Sequence, residues 1–131
     1  MEFSAAVTSD PLVTAKAKAI TDAAGIVDPE ASLGGLTGVI QFILSLLSGL
    51  GACTPAGTTP PARRMRRAIT NPGPVERRTQ RRLLKDNVAN PALRPAIEAG
   101  AAQVAATSTD AELIALYKLA NGGGAVAQDA S

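Results

Sequence analysis

The sequence predicts an all-α protein: an extended, non-globular set of short helices with Pro/Gly-rich linkers and a C-terminal helical hairpin. Three observations carry this. Helix start and stop signals recur along the chain, as at Ser9-Asp10-Pro11 and Thr109-Asp110-Ala111-Glu112. Proline and glycine clusters separate these stretches. Aromatic residues are limited to Phe3, Phe42 and Tyr117, with no Trp, and much of the apolar content is alanine. Alanine favours helix but buries little area, and aromatics usually supply the largest buried surfaces. A self-sufficient core is therefore not expected.

Residues 1–30 form an acidic, Ala-rich first segment. Asp10 can cap a helix that opens on Pro11, a proline tolerated in the first turn. Leu12, Val13, Ala17, Ala19, Ile20 and Ala23 supply its apolar positions, and Gly25 is the expected stop. The segment reads as a weak surface helix that needs something to lie on.

Residues 31–53 carry no charge, and the charge-free run extends to Ala62. Residues 33–52 are roughly 20 in number, about the length that spans a bilayer core of about 30 Å. Gly34, Gly38, Gln41, Ser45, Ser48 and Ala52 fall at alternating steps of four and three, which keeps one small-residue seam in register. Ile40, Ile43, Leu46, Leu47 and Leu50 lie opposite it, with Phe42 toward the flank. Such a seam suits close packing of helices in a membrane. The same pattern fits a helix buried in protein, since the glycines fray its ends and leave a core helix over about residues 36–48.

Leu50-Gly51-Ala52-Cys53 has the form of a bacterial lipoprotein cleavage site. A long net-acidic stretch precedes it where a signal peptide has a short basic one. Arginines follow it, which favours keeping that side inside. Cys53 is expected to be an ordinary free thiol.

Residues 54–73 read as a Pro/Gly/Arg-rich linker, and within it the basic belt begins at Arg63, Arg64, Arg66 and Arg67. The belt continues in residues 74–89, expected to be helical with Pro74 as first residue. Arg77, Arg81 and Lys85 are four apart, as are Arg78 and Arg82, so they share one broad face. This pattern suits phosphates or the acidic side chains of a protein partner. No aromatic residue is interleaved, so no stacking platform exists for exposed bases.

The remainder of residues 74–131 is expected to hold two further helices and a loose tail. One opens at Pro95 with Ile97, Ala101, Val104 and Ala105 on one side. The other follows the Thr109/Glu112 capping box, carries Leu113, Leu116 and Tyr117, and ends at Asn121-Gly122. A short Thr107-Ser108 turn would close them into a hairpin.

Catalytic parts are missing. There is no His, Cys53 is the only cysteine, and the acidic residues are scattered. Gly122-Gly123-Gly124 lacks the strand and the Lys-Ser/Thr of a phosphate loop. The chain is expected not to be an enzyme, with no cofactor, metal or small-molecule substrate. Three readings follow. The first is a structural subunit of a large assembly, present in many copies, such as an internal or ejection protein of a phage virion. The second is a single-span, holin-like membrane protein that self-associates through the seam. The third is an accessory protein that binds the nucleic-acid backbone through the belt. A virion or membrane-associated location is expected, without a recognisable signal peptide.

Overall fold

The computed structural model describes residues 5–27, 36–50 and 60–121. Among them are a single turn, α1 (Ala5–Thr8), and the longer helices α2 (Pro11–Ala23), α3 (Leu36–Gly49) and α4 (Ala62–Thr70). Then come α5 (Pro74–Asn87), a 3-10 turn (Pro91–Leu93), α6 (Arg94–Thr107) and α7 (Asp110–Ala120). The described residues contain no strand.

The caps form where local chemistry demands them. The Asp10 carboxylate accepts from the Leu12 N–H at 2.9 Å, and Gly25 takes φ 77° just beyond the end of α2. Thr109 and Glu112 complete the capping box: Thr109 N–H donates to Glu112 Oε1 at 2.9 Å, and Glu112 N–H donates to Thr109 Oγ1 at 3.1 Å. Hydrogen bonding to the Thr109 backbone, then to Lys16, holds the Glu112 carboxyl below its ordinary pKa.

The helices pack on one another instead of standing apart. Contacts run from α3 to α2, from α2 to α6, from α6 to α4, from α4 to α7, and from α7 back to α3. Helix α5 lies against α3 and touches α6. Their buried side chains form one continuous apolar cluster. The extended arrangement expected from the scarcity of aromatics is not found. Ile, Leu, Val and Ala supply the burial, with Phe42 at 0% exposure and Tyr117 at 7%.

Helix α3 is the centre of this cluster. Val39, Ile40, Phe42, Ile43, Leu44, Leu46 and Leu47 are all buried, so its apolar surface meets other helices on most sides. Each large apolar side chain buried in this way contributes about 1.5–3 kcal/mol. The helix has 14 residues, and no helix of the described residues is long and apolar enough to cross a membrane.

Helix α2 is likewise more than a surface helix. Val13, Ala17, Ile20 and Thr21 are buried, and its backbone approaches α6 closely. A Cβ at Gly100 of α6 would lie 2.6 Å from the Ile20 carbonyl oxygen, so the crossing requires glycine.

Two further expectations are corrected. The linker drawn over residues 54–73 contains α4, whose Ala62, Met65 and Ile69 are buried at helical spacing beneath the arginines. The predicted hairpin does not form as a packed pair. Ser108 (ψ 147°) and Thr109 (ψ 160°) are extended, and they redirect the chain between α6 and α7. Helix α6 packs mainly on α2 and α4, whereas α7 packs mainly on α3 and α4. Cys53 and Gly122 to Gly124 lie outside the described residues, as does the tail.

Candidate anion-docking surface

The outer side of α5 gathers the expected cations. Gln80 and Leu84 turn inward, with Val88 buried just past the helix end. Arg77, Arg78, Arg81, Arg82 and Lys85 are all exposed. At about 100° per residue they spread over an arc of about 140°, with successive members of each row about 6 Å apart along the axis.

Among the described residues none of these five forms an ion pair. The ion pairs among the described residues are Lys16–Glu112 at 3.0 Å and Arg66–Asp110 at 2.7 Å. Glu76 lies on another flank of α5, where it lines a depression, and Asp86 stands one turn beyond Arg82. Asp86 thus continues the row of Arg78 and Arg82, and Glu98 borders Arg81, Lys85 and Arg94, so the cations outnumber the acids on this side without being set apart from them.

Helix α4 divides its arginines. Arg63 and Arg67 are exposed, as is Arg64, which lines the depression with Arg67. Arg66 goes elsewhere. Its Nε donates to the Ala105 carbonyl at 3.2 Å, and its Nη2 donates to the Ser108 carbonyl at 3.0 Å as well as to Asp110. It satisfies the C-terminal carbonyls of α6 and meets the acidic first turn of α7. Arg66 therefore belongs to the fold and leaves the belt.

Two open depressions flank α5. One, of about 550 Å³, lies between the end of α3, α4 and the start of α5, floored by Leu46, Leu50 and Ala68. The other, of about 450 Å³, joins Arg81 and Lys85 to Arg94, with Leu84, Pro95 and Glu98 beside them. Arg94, at the start of α6, has its Nε on the Val88 carbonyl at 2.9 Å. It adds a fixed cation at the α6 end of the surface.

The small-residue seam occupies a different place. Gly38, Gln41, Ser45 and Ser48 form a half-exposed strip, bordered by exposed Thr37 and Gly49. Gly34 and Ala52 lie outside the described residues. The strip is where solvent reaches a helix otherwise enclosed, and a Cβ at Gly49 would meet nothing within 4 Å. Among the described residues, no backbone approach requires that glycine.

No group of His, Cys, Asp and Glu among the described residues could hold a metal ion. Comparison of the chain with protein-family models, with curated proteins and with solved structures finds no match.

Proposed function

We propose that this chain is a non-enzymatic subunit of a larger assembly that docks on an anionic partner through the outer side of α5. The observation that carries this reading is the exposed set Arg77, Arg78, Arg81, Arg82 and Lys85, which form no ion pair among the described residues. Like charges held within about 6–10 Å of one another repel, and at ordinary ionic strength screening over about 8–10 Å removes only part of that cost. An anionic partner relieves the rest.

The membrane-spanning reading loses its main motive. It rested on an apolar segment with nothing to bury it, and the apolar side chains of α3 are already covered by α2, α5 and α7.

Charge reversal tests the docking reading. The variant Arg78→Glu/Arg82→Glu should keep its helical circular dichroism and lose retention on an immobilised polyanion such as heparin. Retention equal to that of the unaltered chain would sink it.

A further inference from the structure

We infer that the anionic partner is a DNA duplex, held along α5 by its phosphates. This rests on the docking reading above and names its partner.

The first argument is the chemistry of the cations. Four of the five residues on the outer side of α5 are arginine: Arg77, Arg78, Arg81 and Arg82. The planar guanidinium offers paired N–H donors that match a phosphate in a two-point contact, which a lysine ammonium cannot reproduce. Arg94 continues this line beyond Arg81 and Lys85, with its guanidinium already oriented by the Val88 carbonyl.

The second argument is shape. A 14-residue helix is about 21 Å long, and its cations cover an arc of about 140°. A helix of this kind fits a groove about 12 Å wide, whose two edges are rows of phosphates. Cations on a broad arc meet both edges, where a single narrow row would meet one.

The third argument comes from what the surface does not offer. Stable docking on another protein relies on desolvated apolar or aromatic anchors at the centre of the interface. The exposed large apolar residues among those described are Val27 and Val75. Val75 stands at the edge of the arc, about 20° round the helix from Arg82, where it also lines the larger depression, and Val27 follows α2. A single valine at the edge of the arc is smaller than the aromatic or large apolar cluster that centres a protein interface or wedges into a lipid surface. A phosphate lattice needs neither.

The fourth argument selects duplex over single strand. Single-stranded nucleic acid is held by stacking its bases on aromatic side chains. Phe42 and Tyr117 are both buried, so the described surface presents no ring. Contacts of this kind position a duplex without reading its sequence.

The test is fluorescence anisotropy of labelled duplexes against the full chain over a series of NaCl concentrations. Two unrelated DNA duplexes, a duplex RNA, a single strand and a labelled poly-glutamate are compared. The two DNA sequences should bind alike, with log K falling against log[NaCl] at a slope of about −3 to −5. Arg77→Ala/Arg81→Ala/Lys85→Ala should reduce that slope by about 3 units, whereas Lys118→Ala on α7 should leave it unchanged. Tighter binding of duplex RNA overturns the inference, because the deep, narrow major groove of the A-form does not admit the helix. Tighter binding of the single strand overturns it. Binding of poly-glutamate without binding of any duplex overturns it and leaves the docking reading intact. Binding of neither removes both.

Discussion

Helices α3 and α5 have the same length, 14 residues, and lie against each other, yet they treat water in opposite ways. Helix α3 has no charge and hides all but a strip of small and polar residues. Helix α5 buries Gln80 and Leu84 and gives an arc of about 140° to arginine and lysine. The contrast shows that an apolar segment of bilayer length does not by itself call for lipid. In this bundle α2, α5 and α7 together do what a bilayer would do for α3. The cost of that arrangement falls on α5, which must present a packing side to α3 and a charged side to solvent.

The largest expected effect sharpens this difference from the α3 side. Phe42→Ala should lower unfolding free energy by about 3–5 kcal/mol in urea titration, because the ring is fully buried. A loss under about 1 kcal/mol would show that α3 is not the core of the bundle.

A second experiment separates arginines that are adjacent in sequence. Arg66→Ala should cost about 1–2 kcal/mol, since it leaves the carbonyls of Ala105 and Ser108 without their charged donor. Arg67→Ala should stay within about 0.5 kcal/mol in the same titration. Equal losses would erase the distinction between folding and docking arginines.

Gln80 offers the reverse sign. It is 1% exposed, and neither its amide nitrogen nor its oxygen has a hydrogen-bond partner. Gln80→Leu should stabilise the chain by about 1–2 kcal/mol, raising its thermal midpoint by several degrees. A fall instead would mean that the amide is satisfied in solution.

The smallest effect concerns pH. The folded Glu112 carboxyl titrates below its ordinary value because the Thr109 N–H and Lys16 favour the charged form. A depressed folded pKa gives stability that is present above the unfolded value, near about 4.3, and lost as pH falls through the folded one. Stability should therefore decline in that acid range, and Glu112→Gln should flatten the decline. An unchanged acid limb in the variant would place the titration elsewhere.

Much of the secondary structure was legible because its causes are local. Asp10 before Pro11, Thr109 three residues before Glu112, and Gly25 beyond the last turn each act through neighbouring backbone. The buried positions Ile97, Ala101, Val104 and Ala105 likewise follow helical spacing. Packing was harder to read because its causes are distant. Arg66 and Arg67 are chemically alike in sequence, and what separates them is the α6–α7 junction, 39 to 44 residues further on. Helix α4 was hidden because arginines interrupt the apolar stripe of Ala62, Met65 and Ile69. The hairpin expectation failed because a short turn guarantees proximity only at its own ends. The cations of α5 share one exposed side because a four-residue step on a helix decides that. The burial of Gln80 was missed, because glutamine ordinarily faces water.

The close crossing at Gly100 bears on how the chain is made. Its partner, Ile20, is 80 positions earlier, and the Lys16–Glu112 bond joins residues 96 apart. At about 5–20 residues per second, a ribosome takes on the order of 4–16 s to travel from Ile20 to Gly100. Through that interval α2 has been synthesised and its seat on α6 has not. Helix α2 can reach its final place only after Gly100 has been made, so a nascent chain halted before Gly100 should be far more open to proteases than one extended beyond α7.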